Sequence, residues 1–289
     1  MKLKTFLCVL TASLLMSTME VCLKFSNVNL DVFQMTFARF MMGGLVLLPF
    51  AFAHMKRNNI SLTGSDMLYL LGLGFLCICV SMIFFQLGVM GARASTTAII
   101  FCTNPVFTMI FASLLVSERF TKFKLLAIFL SAIGLVFIVN PFGDMSGNTY
   151  LGMFYTFFSA AVFGLYSALG KRRIGKLGGM TQTALSFIFG SLMLLVIMLI
   201  AGMTPLPKLT AGEIPMLLYI GIGITGVGYL AYFKAIEYSD ASTGSVVFFM
   251  KPVFAPIVAF LLAGENIPLA MMIGIVFMLC GSYIILAKT

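Results

Sequence analysis

Windows of about twenty residues with almost no charge recur from one end of this 289-residue chain to the other. About twenty apolar residues in a helix, rising ~1.5 Å each, cross the roughly 30 Å hydrocarbon core of a bilayer. Water is absent there, so each span must satisfy its own backbone groups. Hydrophobic residues make up 61% of the chain and charged residues 9%, against roughly 25% charged in a soluble domain. Ten spans are expected, at about 5–25, 32–54, 66–87, 94–116, 122–140, 150–170, 182–203, 213–233, 241–263 and 268–287. The connections between them are short and leave no segment long enough for a soluble domain. The expected fold class is an all-α polytopic membrane protein with ten transmembrane helices.

The first twenty residues, MKLKTFLCVLTASLLMSTME, have the basic start and apolar run of a leader. The apolar run continues past Glu20 to Phe25 and has a counterpart later in the chain, so it reads as helix 1, retained. Orientation follows from the basic residues, which collect on the cytoplasmic side. With the N-terminus inside, Lys2, Lys4, Lys56, Arg57, Arg119, Lys122, Lys124, Lys171, Arg172, Arg173, Lys176, Lys234 and Lys288 all face the cytoplasm. Only Arg93 and Lys208 fall outside, while Lys24, Arg39 and Lys251 lie within spans. Both termini are therefore expected in the cytoplasm, in a cytoplasmic (inner) membrane. The net charge of +9 is explained by topology and needs no nucleic-acid partner. The six cysteines all sit inside apolar spans and read as small apolar residues. One histidine, His54, supports no metal cluster. No Ser/His/Asp or Cys/His set is present, so neither an enzyme nor a cofactor is expected. Gly221 to Gly226 spells G-x-G-x-x-G, but within a membrane span rather than after a strand; it reads as a helix-packing surface instead of a nucleotide loop.

An internal repeat adds more. The segment AIIFCTNPVFTMIFASLLVSE (98–118) aligns with SVVFFMKPVFAPIVAFLLAGE (245–265). Phe101, Pro105, Val106, Phe107 and Glu118 recur as Phe248, Pro252, Val253, Phe254 and Glu265, each 147 residues later. Ala94-Ser95-Thr96 recurs as Ala241-Ser242-Thr243, Gly134 as Gly281 and Lys24 as Lys171 at the same offset. The chain thus divides into two five-helix repeats, 1–144 and 145–289. Because five is odd, the second enters the membrane from the opposite side. Inverted repeats of this kind are a transporter device, with the substrate site near the midplane between the halves.

These features resemble the EamA family of the drug/metabolite transporter superfamily over essentially the whole chain. The resemblance rests on the two five-helix repeats, on Pro-Val-Phe running to a glutamate in each, and on TGVGYLAYFKAIEYSDAS (225–242). It also rests on Phe37-Ala-Arg39-Phe in helix 2. It implies a ten-helix bundle with both termini inside and a central cavity lined mainly by helices 1, 3, 4, 6, 8 and 9.

The repeat also serves as a ruler. Lys251 corresponds to Asn104, each directly before a matched proline, Pro252 and Pro105. A proline within a helix frees a carbonyl that a neighbour, water or ligand must satisfy. These prolines are expected hinges, and Pro256 makes helix 9 the more deformable partner. On helix 1, Ser13, Ser17, Glu20 and Lys24 are spaced to share one face. Glu20 with Lys24 and Arg39 is either a structural charge cluster joining helices 1 and 2 or a coupling site. Phe85 on helix 3 corresponds to Tyr232 on helix 8, and Met82 to Tyr229; Tyr166 lies beside Ser167, the counterpart of Glu20. These aromatic residues are either packing or cavity wall. Glu118 and Glu265 end their helices, against the dipole, and are expected to meet a partner on the next helix or loop.

For Lys251, mid-span and with no carboxylate within ten residues, three readings stay open: an incidental charge, a gating pair with Glu20, or a counter-ion to an anionic substrate group. The expected substrate contacts are Lys251, Asn104, Glu20, Ser17, Tyr166, Phe85, Tyr229 and Tyr232. The intramembrane charges are three positive and one negative, which favours an amphoteric or anionic solute. The expected function is a secondary transporter of small metabolites, exporting amino acids or related solutes by alternating access. Protons are a candidate coupling ion. The alternatives are a cationic multidrug exporter and a non-transporting membrane scaffold, in which the buried charges would pair fully with one another.

Overall fold

The computed structural model describes residues 3–26, 31–116, 121–139, 146–205, 210–239 and 247–288. Lys2, Glu118, Arg119, Lys208 and the Ala241-Ser242-Thr243 repeat lie outside them. Every regular element among the described residues is helical: α1 Leu3–Ser17, α2 Met19–Ser26, α3 Val32–Arg57, α4 Gly64–Gly74, α5 Ile83–Gly91, α6 Ala94–Phe101 and α7 Asn104–Leu115. There follow α8 Lys122–Val139, α9 Tyr150–Leu177, α10 Gly179–Ile200, α11 Ile214–Leu218, α12 Tyr229–Tyr238, α13 Val247–Ala263 and α14 Leu269–Lys288. Seven helical stretches are long and apolar enough to cross a membrane: Leu3–Phe25, Val32–Arg57, Gly64–Gly91, Ala94–Leu115, Tyr150–Leu177, Gly179–Ile200 and Ile214–Tyr238. The helices carry exposed large apolar side chains such as Leu68, Phe129, Leu151, Ile200 and Leu261, a surface suited to lipid.

Two of the long stretches contain wide π-helical turns, Phe75–Met82 between α4 and α5 and Tyr219–Gly228 between α11 and α12. The Thr225 hydroxyl donates to the Ile220 carbonyl five residues back at 2.8 Å, filling an acceptor that the loosened ladder leaves. These segments begin beside glycines at helix crossings. A Cβ on Gly74 would lie 2.4 Å from the Ser186 carbonyl and 2.7 Å from the Gly190 nitrogen. One on Gly43 would lie 3.0 Å from the Gly221 carbonyl. Gly74 and Gly221 are 147 residues apart, as are Gly43 and Gly190, so the same crossing occurs twice with the roles of the two sequence halves exchanged. The G-x-G-x-x-G segment is accordingly a helix contact, as its place in an apolar span suggests. Between α8 and α14, Gly134 meets the Gly274 carbonyl and Gly281 meets that of Ala127, again an exchanged pair at that offset.

The interruption expected at the repeated prolines falls in one helix only. Pro105 stands in the first turn of a new helix, α7, after a break at Cys102–Thr103, where its missing N–H costs nothing. Pro252 and Pro256 lie inside the continuous α13. Among the described residues the helix with two prolines is the unbroken one.

Helix ends are tied by polar contacts. Asp31 with Gln34 and Thr63 with Asp66 form capping boxes at the starts of α3 and α4. Asp66 also accepts from Arg173 Nη1 at 2.8 Å and from Lys176, joining the start of α4 to the end of α9.

The close crossing predicts a graded response. Gly74→Val should destabilise the folded bundle by about 1–3 kcal/mol through overpacking against backbone, lowering the melting temperature in detergent. Gly72→Ala, which meets nothing within 4 Å, should be neutral or slightly stabilising in the same measurement.

Candidate functional site: a buried ion pair beside broken helices

Helix 1 breaks where its own hydroxyls compete with the backbone ladder. Ser13 Oγ donates to the Val9 carbonyl at 2.7 Å, Ser17 Oγ to Ser13 at 2.6 Å and Thr18 Oγ1 to Leu15 at 2.8 Å. Such back-bonding bends helices. The chain restarts as α2 at Met19, which puts Glu20 in a first turn, where a carboxylate is favoured by the helix dipole. Ser13 Oγ also reaches the Val247 carbonyl at 3.1 Å, tying α1 to the start of α13.

One turn further along α13, Lys251 Nζ donates to Glu20 Oε1 at 2.5 Å. Both side chains are sealed, at 0% and 1% exposure. The ammonium lies 5.5 Å from the Phe101 ring centre and 6.0 Å from that of Phe248, so aromatic faces add to its stabilisation. Phe101 and Phe248, 147 residues apart, meet edge to face at 5.7 Å. The Tyr229 hydroxyl likewise donates to Met82 Sδ at 3.3 Å, another pair at that offset. Phe163 is the hub, packing against Phe101, Tyr166, Tyr229, Tyr232 and Phe248, and Phe85 stands against Phe101 at 4.7 Å. Phe85, Asn104, Tyr166, Tyr229 and Tyr232 are all buried, so the polar centre is closed to solvent.

The expected contacts divide. Glu20, Lys251, Tyr166, Tyr229, Tyr232 and Phe85 come together around this aromatic core. Ser17 spends its hydroxyl on its own helix. Asn104 Oδ1 accepts from Thr108 at 3.4 Å while Nδ2 has no hydrogen-bond partner. Among the described residues no hydrogen bond joins Asn104 to Lys251. Ser167, the counterpart of Glu20, accepts from the Tyr232 hydroxyl at 2.8 Å, so the charged pair has only a neutral equivalent in the other half. The sequence reading passed over Phe163 as a centre of the wall; its spacing on helix 6, three residues before Tyr166, was the available signal.

The cluster of Glu20, Lys24 and Arg39 does not form. Lys24 Nζ donates to the Ala92 carbonyl at 3.0 Å and lies 3.8 Å from Glu265 Oε1. It serves the C-terminal end of α5, where a cation is favoured. Its counterpart Lys171 donates to the carbonyls of Ile236 and Ser239 at 2.8 and 2.6 Å, and Ser239 is the counterpart of Ala92. Spacing along helix 1 suggested a pair with Glu20, but Lys24 sits half-buried at the helix end while Glu20 faces the core. Arg39 is fully buried with Nη1 directed to Met19 Sδ at 3.4 Å, its ring contact being Phe40 at 4.7 Å. Among the described residues Arg39 makes no ion pair. Glu265 does find a partner, though not on the next helix or loop. It accepts from Ala94 N, Ser95 N and Ser95 Oγ at 2.8, 3.0 and 2.5 Å, capping α6. Its equivalent Glu118 lies outside the described residues.

Sequence comparison matches the chain to the EamA-like transporter family twice, over residues 3–140 and 150–287. The chain belongs to the EamA-like transporter family. An uncharacterized transporter of Clostridium kluyveri is 36% identical to this family member over 97% of the chain and 92% of its own length. One of Archaeoglobus fulgidus is 26% identical over all of the chain and 99% of its own. A solved structure described only as a protein crystal structure superposes with a TM-score of 0.71 at 15% identity, covering 97% of this chain and 95% of its own; at that identity the likeness speaks for the fold. This family member is a multi-pass membrane transporter.

The pair predicts non-additive substitutions. Glu20→Gln or Lys251→Met alone strands a buried charge and should cost about 3–5 kcal/mol. The double variant should recover most of that loss, read as melting temperature of the purified protein in detergent.

Proposed function

We propose that this protein is a secondary transporter of small amphoteric or anionic metabolites, amino acids and related solutes foremost, working as an exporter by alternating access. The observation that carries this reading is the sealed Glu20–Lys251 pair, which joins residues from the two matched stretches of the chain in the midst of aromatic side chains. A solute bearing both an ammonium and a carboxylate replaces both partners without stranding either charge, whereas a simple cation leaves Lys251 uncompensated. Glu20 Oε2, without a hydrogen-bond partner, is the place for an amine or a proton. The scaffold alternative requires fully paired charges, and the unpaired Arg39 guanidinium speaks against it.

The transport cycle rests on two inverted five-helix repeats, 1–144 and 145–289, spanning an inner membrane ten times with both termini cytoplasmic. The exchanged glycine crossings, the matched lysine contacts and the Met82–Tyr229 and Phe101–Phe248 self-pairs support an exchange of the two halves about a common axis. Lys251, Glu20, Asn104, Tyr166, Tyr229, Tyr232 and Phe85 form the binding region in this scheme. Ser17 contributes through the helix break, and Pro105, Pro252 and Pro256 are the flexing points.

The test is uptake and efflux of a metabolite panel in proteoliposomes at two pH values. At least one amphoteric solute should move down an imposed gradient. Lys251→Gln should abolish that flux while membrane insertion is retained, and unchanged flux would refute the role of the pair. Glu20→Gln should remove any dependence on the proton gradient.

A further inference from the structure

We infer that Arg39 is a second anion site, distinct from Lys251, built to hold one carboxylate side-on. The guanidinium is 0% exposed. Of its three nitrogens, Nη1 meets only the weak acceptor Met19 Sδ, while Nε and Nη2 have no hydrogen-bond partner. Nε and Nη2 share one edge of the planar fork, and their N–H bonds run parallel, the geometry that receives both oxygens of a carboxylate. Thr36, one turn earlier on α3 and so on the same face, also holds its hydroxyl buried without a partner.

Among the described residues no group answers this edge. Asp31, on the same helix, caps its N-terminus, and Glu20, the buried carboxylate whose charge acts on Arg39, gives one oxygen to Lys251 and leaves the other without a partner. Glu20 and Arg39 make no hydrogen bond to each other. Removing the Glu20–Lys251 pair from the account leaves Arg39 as an uncompensated buried cation. A guanidinium cannot shed its proton to relieve that cost, and buried charges are otherwise paired. The Phe40 ring at 4.7 Å covers one face of the guanidinium but offers nothing to its edge. A carboxylate is the class of ligand that fits: planar, singly charged and bidentate. It is supplied either by the transported solute or by a separate anion that stays bound. The inference stands on Arg39 alone and does not require that the protein transports.

The experiment uses the purified full-length protein in nanodiscs, with sodium benzoate as probe and isosteric benzamide as control, at constant ionic strength. Benzoate should raise the melting temperature by several degrees and benzamide should not. Arg39→Met should lose the response to benzoate, and Arg39→Lys, which keeps the charge without the fork, should weaken its apparent affinity at least tenfold. The Glu20→Gln/Lys251→Met double variant should respond as the parent protein does. Equal shifts with benzoate and benzamide, no shift with either, or a response that survives in Arg39→Met and vanishes in the double variant would each overturn the site. If Arg39→Met does not fold, the Arg39→Lys affinity and the double variant decide the matter. In proteoliposomes, competitive inhibition of solute flux by benzoate assigns the carboxylate to the solute, and noncompetitive inhibition assigns it to a separate anion. Failure of every panel solute to move, with the benzoate response intact and dependent on Arg39, would reject the transport reading and keep the site.

Discussion

A lysine ammonium carried into an apolar helical bundle has to meet a carboxylate there, and the packing at the centre of this protein follows from how that requirement is met. Lys251 comes from α13 and Glu20 from α2, 231 residues away. Bringing them together requires helix 1 to break after Ser17 so that Glu20 turns inward in a fresh first turn. The Ser13–Val247 bond ties α1, the first part of the broken helix, to α13 one turn before Lys251. Around the pair, Phe101 and Phe248 present ring faces to the ammonium, and Phe163 packs behind both. A buried pair of this kind is weak evidence for stability, since well-packed apolar residues often do as well. What it fixes is which helices meet, and at what register.

The same economy of polar contacts governs the ends of the helices. An unsatisfied terminus in lipid costs several kcal/mol per group. Lys24 and Lys171 each supply a carbonyl at the C-terminal end of a helix, Ala92 in one case and Ser239 in the other. Glu265 supplies the donors at the start of α6. These residues look from sequence like stray charges within membrane spans, yet each is placed at the one point of a helix whose partial charge it opposes. Among the described residues, the fully buried charges away from helix ends are then Glu20, Lys251 and Arg39.

Much of this was legible in the sequence because it depends on length and recurrence. The apolar windows located the long helices, and the 147-residue offset picked out Lys24 and Lys171, which bond the carbonyls of Ala92 and Ser239, themselves at that offset. What the sequence could not supply was the partner of each charge. Glu20 and Lys24 are one turn apart and were natural candidates for each other, but the break at Thr18 gives them different surroundings, and their partners lie 231 and 68 residues away. The local setting of each proline was hidden for a related reason. Pro105 and Pro252 share a motif, but one opens a new helix and the other is absorbed into a continuous one, because the choice depends on the preceding turn at Cys102–Thr103 and its packing. Phe163 lacked any motif, and only the assembled bundle makes it the hub of the aromatic wall.

The distribution of unfulfilled hydrogen bonds is the last thing to be accounted for. In folded proteins more than 90% of buried polar groups are paired, and here the helix ends and capping boxes obey that rule closely. The exceptions include Glu20 Oε2, Asn104 Nδ2, Tyr166 Oη and two nitrogens of Arg39, drawn from helices of both matched stretches. An inert bundle would hold leucine or phenylalanine at such positions at no electrostatic cost. Glu20 and Asn104 stand at points where a helix has just broken and restarted, so the backbone is already shaped to offer polar groups inward. Donors and acceptors of both signs, held dry without partners, are a cost that folding alone does not explain, and the proposed amphoteric solute is chemistry that would remove it.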